Sequence, residues 1–159
     1  MKFLCDHHRQ QVLEEPAKAL SYWRNWMSRG NALIDEQQWK NACGFIGCSF
    51  EVAEWLLGQP AHDADEGQRA VERYMVAGHQ LAECLGRTGH PDLELHYLLT
   101  VHLQLLERIK QRCAHFWLLR QPLQISRAML SRYRNQHGSF KGYYDCCMET
   151  ELAIKQCLN

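Results

Sequence analysis

The sequence predicts an all-α protein of about seven helices. Apolar residues recur at i, i+3, i+4 and i+7 over most of the 159 residues, which is the spacing of one buried helix face. No segment alternates apolar and polar residues over the length of a strand. Short polar breaks separate the helical runs and place consecutive helices antiparallel. We therefore expect one domain, 1–159, of three stacked hairpins at approximately 16–58, 64–118 and 123–157.

The first predicted helix is short, over residues 2–14, and the second begins at Glu14-Glu15-Pro16. Proline is tolerated in a first helical turn, and acidic residues suit the positive end of a helix. The second helix carries an apolar stripe and ends at the polar connection 35–38. The stripe comprises Leu20, Trp23, Trp26, Met27, Gly30, Leu33 and Ile34. We expect this whole stripe, Trp26 included, to pack in the core.

The return helix of the first hairpin begins at Trp39 and carries an apolar face as far as Leu57. Gly30 lies inside the preceding helix, where glycine costs ~1 kcal/mol relative to alanine. A packing reason is therefore expected, and close approach of the return helix near Ala42 or Cys43 would supply it.

The second hairpin follows a break at residues 58–63, where Asp63 or Asp65 can cap the next helix. This helix ends near residues 86–89. His90-Pro91-Asp92 then opens the longest predicted helix, which continues to about residue 118.

The third hairpin begins after Pro122, which we expect to interrupt the chain. Its first helix starts at residue 123 and ends before a break at residues 137–139. Its second helix covers residues 140–157, and this match depends on apolar periodicity alone.

The charges are distributed unevenly, although the formal net charge is zero. Residues 35–106 hold eleven acidic and four basic residues, and residues 107–142 hold one acidic and eight basic residues. The pattern indicates either two solvated faces that attract each other or a basic surface for an acidic partner. A nucleic-acid binder remains a further alternative, since clustered Lys and Arg are what phosphate binding needs. Nucleic-acid binding is the less favoured alternative, because Arg127, Arg132 and Arg134 also suit an ordinary amphipathic helix.

The sequence has eight cysteines, no apolar stretch typical of a secretory signal, and no apolar run near the ~18 residues that a membrane span requires. We therefore expect a cytoplasmic protein with reduced thiols, no membrane association and several cysteines acting as small buried apolar residues.

No phosphate-binding glycine loop, serine nucleophile motif or dinucleotide fingerprint is present, so we expect no enzyme. We also predict no cofactor and no metal. Cys5, His7 and His8 are the nearest approach to a zinc site, but structural zinc needs four ligands. A metal- or thiol-redox-responsive regulatory protein that uses these residues stays open as an alternative.

Two of the hairpins share a residue pattern. Trp26, Gly30 and Leu33 recur 48 residues later as Tyr74, Gly78 and Leu81, and the small residue Ala42 follows Gly30. This pattern resembles the tetratricopeptide repeat, in a degenerate form longer than that family's roughly 34 residues. The family's closing proline is absent from its usual place, since Pro60 comes late. The resemblance implies a short α-solenoid.

In the tetratricopeptide family the first helices of successive hairpins line a groove that binds a protein or peptide. The resemblance therefore implies a protein- or peptide-binding adaptor or scaffold, with a homodimer left open. Groove positions of the family are carried over onto Arg24, Met27 and Asn31 in the first hairpin, Glu72, Met75 and His79 in the second, and Arg132 in the third.

Overall fold

The structure, a computed structural model, describes residues 2–158. Met1 and Asn159, which the predicted domain includes, lie outside the described residues. Seven α-helices and a short 3₁₀ helix, Phe116–Leu119, account for the regular structure, and no strand occurs within the described range. The predicted all-α fold of stacked helices is confirmed. The helices are α1 Asp6–Glu14, α2 Pro16–Asp35, α3 Trp39–Leu57, α4 Ala64–Arg87, α5 Pro91–Lys110, α6 Arg120–His137 and α7 Tyr143–Gln156.

The helix boundaries agree with the predicted ones over the first two hairpins until the end of α5. Of the two predicted caps, Asp63 and Asp65, the structure shows Asp63, whose carboxylate accepts a hydrogen bond from the Glu66 backbone amide at 2.8 Å. By contrast, α5 ends at Lys110 and does not reach residue 118. Arg112 and His115 adopt left-handed conformations, with φ of 48° and 60°, which a right-handed helix cannot contain.

The start of the third hairpin also differs from the prediction. Pro122 does not interrupt the chain but lies in the first turn of α6, where no intrahelical N–H is required. The closing helix begins at Tyr143, three residues later than predicted, after Gly138 and Gly142 turn the chain with φ of 92° and 83°.

From α2 to α5, each helix packs mainly against its neighbours in the chain, which gives an antiparallel stack. Helices α6 and α7 both pack against α5, and α6 also contacts α4. One continuous apolar core runs from α2 to α7, and a smaller one joins the N-terminal segment and α1 to α2 and α3. Within residues 2–158 no helix is both long enough and apolar enough to span a membrane.

Two glycines allow the helices to cross closely. A Cβ atom at Gly30 would overlap the side chain of Ile46 on α3, which is the packing reason expected for that glycine. The nearest atoms belong to Ile46, one helical turn after the predicted Ala42. A Cβ at Gly78 would meet Val101 on α5 and Phe50 on α3. The two glycines that the sequence pattern relates therefore have the same role in packing.

The apolar stripe of α2 is less completely buried than predicted. Met27 and Gly30 are buried, but Trp26 is only half-buried. Trp26 instead stacks on Tyr22 at 5.1 Å between ring centroids, with the His8 ring of α1 against its edge.

A buried polar cluster joins the last three helices. His102 on α5 is fully buried, with its Nδ1 3.2 Å from Ser126 Oγ on α6 and its Nε2 2.8 Å from Thr150 Oγ1 on α7. Because the Thr150 hydroxyl already donates to the Cys146 carbonyl oxygen, His102 Nε2 is the donor and its Nδ1 accepts from Ser126. Burial lowers the pKa of His102 to about 4.

Candidate functional site

A groove of about 610 Å³ lies between α2 and α4, beside the connection that follows α3. We call it the arginine groove, because Arg24 of α2 and Arg69 and Arg73 of α4 line it. The remaining lining is apolar or neutral apart from His62 and Glu66. It comprises Ala17, Leu20, Leu56, Gln59, Pro60, Ala61 and Ala70.

Helical spacing directs these side chains into one space. Arg69 and Arg73 are four residues apart and therefore lie one above the other on the same face of α4. Arg24 stands one turn after Leu20 on α2, so that one apolar and one charged residue of α2 reach the groove together. The result is a basic wall with an apolar lining between the helices.

The three arginines lack acidic partners. None of them forms an ion pair within 4.0 Å with any acid in residues 2–158. Burial lowers the pKa of Arg73, and the positive charges of Arg69 and Arg24 lower it further, against the opposing effects of Glu66 and Glu72. An arginine stays protonated in proteins, so the groove holds cations that repel one another. It therefore favours an anion, and a guanidinium can bind a carboxylate with two parallel hydrogen bonds.

Of the seven predicted partner-binding residues, only Arg24 lies in this groove. Met27 and Met75 are 5% and 6% exposed and belong to the main core, so their side chains cannot contact a partner. Their predicted role as partner-binding residues is therefore wrong, because both side chains face the core. Asn31 is half-buried and Glu72 is exposed, outside the groove lining.

The other two predicted residues lie elsewhere. His79 is mostly buried, its Nε2 has no hydrogen-bond partner among the described residues, and burial lowers its pKa to about 4. Arg132 is exposed on α6, beside a small cavity that it shares with Glu83 and Glu94. The third-hairpin position therefore does not extend the arginine groove, because α6 packs against α4 and α5 and not beside α2.

Sequence reasoning missed Arg69 and Arg73 as site residues. They are two of only four basic residues between positions 35 and 106, and they are one helical turn apart. Two arginines one turn apart in an otherwise acidic segment were the sequence signal that could have identified this site. What the sequence could not supply was their position opposite Arg24 on another helix.

The basic segment 107–142 is partly neutralised. Lys110 pairs with Glu149 at 2.8 Å, and Arg127 pairs with Glu151, so α7 supplies acids to bases on α5 and α6. These pairs reduce the charge that a nucleic acid would meet there. The acids belong to α7 and not to the acidic segment 35–106, so these pairs do not test the predicted attraction between the two segments.

The N-terminal metal candidates are only partly brought together. Cys5 Sγ lies 3.0 Å from His8 Nδ1, whereas His7 Nε2 lies 3.0 Å from the Gln11 amide nitrogen. In the part of the chain that the structure describes, no three His, Cys, Asp or Glu side chains are grouped so that they could hold a metal ion. The eight cysteines are all free.

Fold and site together define a small all-α protein with an unneutralised basic groove between two of its helices. Residues 21–142 match a family described as "Protein of unknown function (DUF2753)". The chain belongs to this family, since the match covers more than half of its length. Neither the curated proteins nor the solved structures contain a match to the chain.

Proposed function

We propose that this protein is a non-catalytic helical scaffold whose arginine groove binds an acidic segment of a partner protein. The observation that carries the proposal is the unpaired state of Arg24, Arg69 and Arg73 within residues 2–158. Three cations held together against one lining carboxylate, Glu66, repel one another, and an acidic ligand would offset that repulsion.

The location of the groove supports a peptide as the ligand. It lies between the first helices of the first two hairpins, α2 and α4, which is where the resemblance to tetratricopeptide repeats implies a binding surface. Its apolar lining, with Leu20 and Leu56, would take apolar side chains that alternate with acidic ones. We place this activity in the cytoplasm, in keeping with eight unpaired cysteines.

Fluorescence anisotropy with a labelled peptide rich in glutamate and leucine tests the proposal. The double variant Arg24→Gln/Arg73→Gln should bind at least about tenfold more weakly than wild type, because each charge-assisted hydrogen bond contributes about 1.5–3 kcal/mol. Arg29→Gln is the matched control, since Arg29 is an exposed arginine of α2 that does not line the groove. Its affinity should equal that of wild type.

Salt and competitor experiments distinguish the outcomes. Binding to the groove should weaken as salt is raised, because charge attraction between partly exposed groups is screened. Equal affinity of the wild-type protein and the groove variant would contradict the proposal, as would a lysine-rich peptide that binds equally well. Displacement of the peptide by single-stranded oligonucleotides at lower concentration would favour the nucleic-acid alternative instead.

A further inference from the structure

A second, smaller cavity lies on the other side of the connection after α3. Its volume is about 130 Å³, and it is bounded by the end of α3, the start of α4, the end of α5 and the 3₁₀ helix. Its lining is largely apolar, with two basic side chains. The residues that matter for the argument are Leu57, Val71, Leu119 and Pro122, together with Arg108 and His115.

Arg108 supplies a cation to this cavity. The side chain is half-buried, and its Nη1 donates one hydrogen bond to the Leu57 carbonyl oxygen at 3.3 Å. Its guanidinium carries five N–H donors, so most of them remain for another acceptor. No acid within residues 2–158 lies within 4.0 Å of it as an ion-pair partner, and none lines the cavity.

His115 supplies a second polar group. Its Nδ1 is buried and has no hydrogen-bond partner among the described side chains. Its ring lies close to Gly67, since a Cβ added at Gly67 would be 3.9 Å from His115 Cδ2, and the Trp117 ring stands edge-on to it at 5.4 Å between centroids. A buried polar atom without a partner is unusual in folded proteins, and one explanation is a ligand that supplies the partner.

We propose that this cavity binds a small monocarboxylate with a compact apolar body, of the benzoate class. The carboxylate would accept hydrogen bonds from Arg108 and from His115 Nδ1, and the apolar body would pack against Leu57, Val71 and Leu119. The volume of about 130 Å³ limits the apolar body to a single ring, since an apolar cavity of about 150 Å³ in another protein holds benzene, and the carboxylate would lie at the edge beside Arg108. The proposal does not depend on the charge of the arginine groove, since none of the three groove arginines lines this cavity.

The test is a titration of the isotope-labelled protein, followed by amide chemical shifts in NMR. Benzoate should saturate with a dissociation constant of about 1 mM or below and should shift the amides of Gly67 and Leu119. Benzamide has the same body without the charge, and acetate has the charge without the body. Both should bind at least about tenfold more weakly. Equal shifts with acetate and benzoate would overturn the proposal, because they would indicate general anion binding at the surface.

Two variants locate the site. Arg108→Gln should weaken benzoate binding at least about tenfold, with Arg112→Gln, an exposed arginine, as the matched control. Gly67→Leu would extend a side chain toward the cavity and should abolish binding while it leaves Arg108 in place. Gly67→Ala is its control, since an added Cβ would lie 3.6 Å from Ala61, an ordinary contact. Benzoate affinity that is unchanged in folded Gly67→Leu would overturn the assignment even if Arg108→Gln failed to fold.

Discussion

His102 should make the protein sensitive to acid. Its imidazole is fully buried between α5, α6 and α7 and is neutral, since burial lowers its pKa to about 4. Nearby His79 and Arg127 lower the pKa further, and Glu149 opposes them. In the unfolded chain a histidine titrates near 6.5. The unfolded state therefore binds more protons below pH 6.5, and stability falls as the pH drops from 6.5 to 4.

The magnitude follows from the difference between the two pKa values. About 2.5 pH units at 1.36 kcal/mol per unit give roughly 3 kcal/mol of stability that His102 loses across this range. Below pH 4 both states bind the proton, so no further loss is expected from this residue. His79, whose pKa is also lowered to about 4 by burial, should add a loss of the same sign.

The assay compares wild type with His102→Gln in urea unfolding, followed by far-ultraviolet circular dichroism between pH 7 and pH 4. The glutamine cannot be protonated, so the variant should lose about 3 kcal/mol less than wild type over that range. The comparison also removes the contributions of Glu54 and Glu94, whose pKa values burial raises and which titrate equally in both proteins. Parallel pH profiles for the two proteins would refute the reasoning.

Three further predictions concern packing, capping and thiol reactivity. Gly30→Leu should lower the free energy of unfolding by about 1–3 kcal/mol, because the added side chain would overlap α3 at the helix crossing. Gly44→Leu is the control and should not lower it, since the space around a Cβ at Gly44 is open. Equal urea midpoints for the two variants would show that no helix approaches Gly30. Asp63→Ala should cost about 1 kcal/mol by removing the cap of α4, and an unchanged thermal midpoint would exclude that role. Iodoacetamide at neutral pH should alkylate Cys43 before Cys146. A hydrogen bond with the Cys84 thiol lowers the pKa of Cys43 to about 7, whereas burial raises the pKa of Cys146 to about 11. Mass spectrometry that shows the reverse order of alkylation would contradict this.

The two proposed binding sites differ in what they require of a ligand. The arginine groove is wide and open to extended chains, and its charge comes from three arginines on two helices. The small cavity has about a fifth of that volume and offers one arginine and one histidine. Four residues line both sites: Gln59, Pro60, Ala61 and Ala70. Measurements on each site should therefore include the variants of the other site as controls.

The sequence by itself determined the helices and most of their boundaries. Apolar periodicity, Pro16, Pro91 and the capping residue Asp63 act within one or two turns of the chain, so their effect can be read from adjacent residues. The relation between Gly30 and Gly78 was visible for a similar reason, because a glycine inside a helix requires close packing wherever the partner helix lies.

Only the tertiary structure decided which groups meet. Met27 packs in the core and Arg24 in the groove although they are three residues apart, because the order of the helices around α3 selects which side of α2 is covered. Arg24 faces Arg73, and His102 meets Thr150, across separations that no local pattern constrains. A helical period specifies which residues share a face. It does not specify what the face contacts, since that depends on the packing of all the helices together.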